Sequence, residues 1–161
     1  MAYPTRLNSV ILDDNGAQTL NASNNVGGVC AIFTANSTTL LVGDIVYLAG
    51  VGIVDKSATA SNYVGYVGVV VSGDSLGMEP STTVGTTAAT SGQKVMVQIS
   101  GVANAIVGAT GFTAGTNFNA VPSAATAGRV IPGTTADQRV GVALTTQATA
   151  GSAVKLLIKH F

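Results

Sequence analysis

The chain has no tryptophan, a single cysteine, a single histidine and a single glutamate, and only 9% of its 161 residues are charged. Each shortage removes a class of chemistry. With Cys30 alone, no disulfide can form within the chain. Cys30 sits in the apolar run Gly28-Val29-Cys30-Ala31-Ile32-Phe33, with no cation beside it to favour the thiolate, and reads as a small buried hydrophobe. One Cys and one His cannot build a zinc cage. The histidine, His160, is the penultimate residue. Chain ends are the least tied-down part of most domains, whereas a general base must be held within hydrogen-bond reach of its target.

The carboxylates fare no better. Asp44, Asp55, Asp74, Glu79 and Asp137 all fall in expected turns or loops, and nothing in the sequence marks two of them as a catalytic pair. Asp13-Asp14-Asn15-Gly16 begins like a calcium loop, but the later acidic ligands are missing and Asn-Gly is itself a turn signal. Gly50-Val51-Gly52 and Gly108-Ala109-Thr110-Gly111 lack the lysine and following helix of a phosphate-binding loop. No catalytic residue, cofactor or metal site is therefore assigned, and the chain is not expected to be an enzyme.

Seven basic and seven acidic residues give a formal charge of zero. There is no basic face to neutralise a run of phosphates, so nucleic acid is not expected as a direct partner. No apolar run approaches the roughly 18 residues that read as a membrane-spanning helix. The start Met1-Ala2-Tyr3-Pro4-Thr5-Arg6 lacks the charged-then-apolar layout of a signal peptide, which leads to the expectation of a chain made and used in the cytoplasm.

What is present is Gly, Ala, Val and Thr. Nearly half of the residues are apolar (47%), with 20 Gly, four Lys and few of the other charged or amide-bearing helix formers, Glu, Gln and Arg. No long stretch follows the i, i+3, i+4 pattern of a helix. Strands are expected at 29–34, 45–49, 64–71, 94–100, 102–107, 117–121, 140–145 and 154–158, most of them bounded by Gly, Ser, Thr, Asn or Asp. Several short strands with turn-rich joints predict an all-β fold, a small barrel or sandwich.

The strands repeat. Val42-Gly43-Asp44-Ile45-Val46 matches Ala114-Gly115-Thr116-Asn117-Phe118, and Val67-Gly68-Val69-Val70-Val71 matches Val140-Gly141-Val142-Ala143-Leu144. Gly92-Gln93-Lys94-Val95-Met96-Val97-Gln98-Ile99 then matches Gly151-Ser152-Ala153-Val154-Lys155-Leu156-Leu157-Ile158. Three matched elements in one order predict an internal duplication, about 40–100 and 112–158, within a single β domain spanning 29–161. The copies differ by an insertion, 72–91, expected to be a long exposed loop where partner contacts could lie. Residues 1–28 are polar and Asn-rich and are expected to form an extended arm that orders on binding.

Taken from Val42-Gly43-Asp44-Ile45-Val46-Tyr47-Leu48 through Gly92–Val102 to Val154-Lys155-Leu156, the succession resembles the small capsid decoration, or cement, proteins of tailed bacteriophages. The resemblance covers roughly 40–158 and rests on Gly, Val and Ala. It implies a compact β fold on the outer surface of a virion, often trimeric, clamping the major capsid protein. On that reading Tyr3, Pro4, Arg6 and Leu7 of the arm are the candidate partner-binding residues: Arg6 to pair with a carboxylate, the others to lie across a neighbour or extend its sheet. A second class also suits a small Gly- and Thr-rich β domain: a receptor- or glycan-binding module of a phage head fibre or tail. The sparse aromatics give that class no visible binding cluster.

Overall fold

A computed structural model describes residues 28–36, 38–56, 65–134 and 138–158. The candidate arm residues Tyr3, Pro4, Arg6 and Leu7, the turn at Asp13–Gly16, Asp137 and His160 lie outside the described residues.

The protein is all-β. Twelve strands succeed one another among the described residues: β1 (Cys30–Ala35), β2 (Leu40–Leu41), β3 (Ile45–Gly50), β4 (Ile53–Lys56), β5 (Tyr66–Gly73), β6 (Thr87–Ala89), β7 (Lys94–Gln98), β8 (Val102–Ile106), β9 (Asn119–Pro122), β10 (Val130–Pro132), β11 (Gly141–Ala143) and β12 (Ala153–Ile158). All eight expected strands are present. The four that the sequence did not reveal, β2, β4, β6 and β10, are two to four residues long and too short to show alternation.

Strands β1-β4-β3-β5-β7 close into a barrel, and β10-β9-β11-β12-β8 form a second sheet. The second order repeats the first, strand for strand, if β8, β9, β10, β11 and β12 stand for β1, β3, β4, β5 and β7. The registers agree. Cys30 pairs with Gln98 as Val102 pairs with Leu157, Val46 with Gly68 as Ala120 with Gly141, and Val70 with Val97 as Ala143 with Leu156. The parallel β1–β4 pair that closes the barrel is reduced in the second unit to one parallel bridge, Val107 to Val130. The repeat therefore begins at β1 and β8, earlier than the sequence match at 40 and 112. One matched element also shifts: the residues paired like Ile45 and Val46 are Asn119 and Ala120, two positions beyond Asn117-Phe118.

Matched turns explain two of the glycines. Gln93 N–H donates to Thr90 O (3.0 Å) and Ser152 N–H to Thr149 O (3.3 Å), with Gly92 and Gly151 third in each turn at φ of 81° and 83°. A type II turn requires that left-handed conformation there, which Gly adopts without a Cβ penalty.

Five strands leave little room inside, and the inner positions are correspondingly small: Ala35, Val46, Val54, Val70, Val95 and Val97 are all buried. The short β2–β6 ribbon adds Leu40, Ala88 and Ala89 to the same cluster, at the end where β1 finishes and β7 begins. In the second unit the bridge between Phe112 and Gln147 takes the ribbon's place, and Phe112 is fully buried.

Segment 72–91 is not the long exposed loop expected. Ser72 and Gly73 complete β5, Asp74–Leu76 form one 3-10 turn, and β6 is paired and buried at Ala88 and Ala89. Between them Ser81 N–H donates to Val71 O (3.0 Å), Gly85 N–H to Val42 O (2.8 Å), and Asp74 Oδ2 accepts from Lys94 N–H (2.7 Å). Met78 packs against the core as well. A few apolar anchors and backbone bonds hold down a segment whose composition is otherwise that of a loop.

Candidate interaction surfaces

The buried carboxylates Asp44 and Asp55 serve the fold. Asp44 is buried where the two units meet: its Oδ2 accepts from Leu41 N–H (2.8 Å) and lies 3.1 Å from Lys56 Nζ. Beside it Ile45 N–H donates to Gly128 O (2.7 Å), and Ile106 N–H to Gly43 O (2.9 Å), stitching barrel to second sheet. Burial pushes the Asp44 carboxyl above its usual range; the Leu41 amide, Lys56 and Arg129 oppose that rise. Asp55 accepts from Asn36 Nδ2 (3.0 Å), from Thr38 Oγ1 and from Lys56 N–H (2.8 Å), tying the β1–β2 connection to β4. Among the described residues no group of three or more His, Cys, Asp or Glu could hold a metal ion. Burial raises the Cys30 thiol to about 11, away from the thiolate a nucleophile needs.

Five of the six exposed large hydrophobics among the described residues lie at two places, and the sixth, Ile32, stands on β1 beside Met96 of β7. The first is the end of the barrel where β1 begins, β7 ends, β3 ends and β5 begins. Val29 (53% exposed) and Leu48 (49%) stand there, with Val67 and Ile99 only half-buried against the inner cluster. Val51 is fully exposed at the β3–β4 turn, where Gly52 O accepts from Thr34 N–H (2.9 Å). The described chain enters at this end, where Val29 N–H donates to Ser100 Oγ (3.1 Å). The second place is the outer face of the second sheet, where Val102, Val142 and Leu157 lie in one cross-strand row and Leu144 extends it. These surfaces were not identified from sequence, because single Leu and Val residues in an apolar chain give no sign of which face they take. The third feature is a shallow depression of about 350 Å³ over Phe112, Thr113 and Gln147; its phenyl ring is buried, leaving no aromatic platform for a sugar.

No helix among the described residues is long and apolar enough to cross a membrane.

Neither a protein-family model nor a curated protein matches the chain. Among solved structures, the fold is similar to that of the N base of the head fiber gp8.5 in bacteriophage phi29, with a TM-score of 0.50 and 16% sequence identity over 81% of this chain and 93% of that one.

Proposed function

We propose that the protein is a structural component of a phage head that sits on the outside of the capsid and stabilises the shell by bridging major capsid subunits. The observation that carries this reading is the fold likeness to a head-fiber base across most of both chains, together with the sequence resemblance to capsid decoration proteins. The chemistry is compatible: the buried carboxylates are engaged in holding the fold, and the free energy on offer lies in exposed apolar surface. A protein that binds only the assembled shell stabilises it by mass action, and many copies on one lattice reinforce one another. No catalysis, cofactor, nucleic acid or membrane enters this role. The chain acts as a homo-oligomer, a trimer by the resemblance, with Tyr3, Pro4, Arg6 and Leu7 reaching the capsid.

A second reading is favoured by the identity of that structural neighbour: the chain is the base of a head fibre, anchoring a receptor- or glycan-binding part. One experiment separates the readings. Purified protein, full-length or lacking residues 1–25, is mixed with phage shells that lack it, the shells are pelleted, and bound copies per shell and shell melting temperature are measured. Saturable binding that raises the melting temperature, and weakens on truncation, is expected for the decoration role. Binding without any gain in shell stability assigns the fibre-base role, and absence of binding to both expanded and unexpanded shells overturns both.

A further inference from the structure

The two units within one chain meet through faces that differ in kind. The outer face of the barrel, with Ile45, Val69, Val71 and Met96, is buried against the inner face of the second sheet, and together they form one apolar cluster. Within that cluster the inner positions Ala103, Val140 and Ile158 of the second sheet are sealed, at 0%, 0% and 2% exposure.

By register each of these surfaces has a counterpart in the other unit, and among the described residues both counterparts are left partly exposed. Val69 and Gln98 of the barrel correspond to Val142 and Leu157, and the next outward position after Val142 is Leu144. Leu144 is 50% exposed and Leu157 43%. The sealed Val140 and Ile158 correspond to Val67 and Ile99, at the open end of the barrel beside Val29 and Leu48. The chain thus carries one used copy of an interface and one unused copy of each of its halves, at opposite units.

We propose that copies of this chain associate head to tail, with the outer face of one copy's second sheet covering the open barrel end of the next and repeating the contact already made between units. A contact between unlike surfaces is heterologous and propagates until its rotation closes a ring. Asn119 stands in the new face where Ile45 stands in the internal one, by their pairing with Val142 and Val69, and Lys155 where Met96 stands, by their registers with Asn104 and Ile32. The lysine stem can lie along the apolar row while the ammonium stays in water. The association is consequently weaker than the internal contact and depends on protein concentration. The proposal deepens the homo-oligomer reading and is independent of any capsid, so its failure leaves the shell-binding test standing.

The test is sedimentation velocity on the full chain over a range of concentrations, for the wild type, Leu157→Asp and Leu48→Asp, with circular dichroism and melting temperature confirming that each variant is folded. Leu144→Asp and Val29→Asp replace either variant if it fails to fold. Each variant alone is expected to be monomeric where the wild type is oligomeric. Each retains one good half, so an equimolar mixture is expected to give a heterodimer and nothing larger. A monomeric wild type overturns the proposal, as does either variant keeping the wild-type size. Two monomeric variants that do not combine also overturn it, assigning the barrel end to another occupant such as residues 1–27 of the same chain.

Discussion

Gly68 and Gly141 hold the same place in the two units, and a Cβ on either would collide with the same element of its neighbour: Gln98 O at 2.0 Å in the barrel, Leu157 O at 2.4 Å in the second sheet. These are close backbone approaches, the situation in which Gly in a strand is required. Gly68→Ala and Gly141→Ala should each cost about 3 kcal/mol or more, since backbone cannot yield as a flexible side chain does; urea denaturation reads the loss. Asp44 makes a pH-dependent prediction. Its carboxyl is raised in the folded state, chiefly by burial, above the ordinary value of 3.8. Between the two values the folded state holds more protons than the unfolded one, so this group's contribution to stability falls as pH rises through that window. An Asp44→Asn variant keeps an acceptor for Leu41 N–H and does not titrate. Its deficit relative to wild type should be largest below pH 3.8 and shrink as pH rises through that window, while Asp44→Ala, which strands that buried amide, should lose about 1–3 kcal/mol throughout. Gly68 and Gly141 could be matched in the sequence, as the repeat shows. The burial of Asp44 could not, because a lone Asp after Gly in a turn-rich stretch looks like an exposed turn residue.

At the level of elements, legibility followed length. Strands such as β7 and β12 declare themselves through alternation, Val95, Val97 and Ile99 against Val154, Leu156 and Ile158, because one face of each must be buried. The β2–β6 ribbon declares nothing. Leu40-Leu41 and Thr87-Ala88-Ala89 are too short to carry a period, and pair only because the barrel needs Leu40, Ala88 and Ala89 to close one end. Segment 72–91 differs from its sequence expectation for the same reason: its composition is that of a loop, and its anchors are separate contacts. Hydrogen exchange should divide it accordingly. The amides of Ser81 and Gly85, which donate to Val71 O and Val42 O, are expected to exchange far more slowly than that of Thr82, whose N–H has no such backbone acceptor among the bonds linking the segment to the barrel. Uniformly fast exchange across 74–87 would restore the free loop.

At the scale of the whole molecule, the shared cluster makes the two units interdependent. The second sheet completes its core on Ile45, Val69, Val71 and Met96 of the barrel, and the backbone bonds from Ile45 N–H to Gly128 O and from Ile106 N–H to Gly43 O link the units at the junction. A single cooperative thermal transition is therefore expected by calorimetry, and a fragment of residues 102–158 alone should show no cooperative unfolding; two separated transitions would mean that the units are stable independently. The amino-acid sequence by itself determined the fold class, the eight longer strands and the recurrence of the second half, since those follow from local quantities: β-branched content, turn glycines and the two-residue period. It did not determine which unit closes as a barrel, which outer face is buried, or which end is left open. Those were decided by tertiary packing, because Val69 and Val142 have the same local sequence pattern and differ only in whether another unit lies over them.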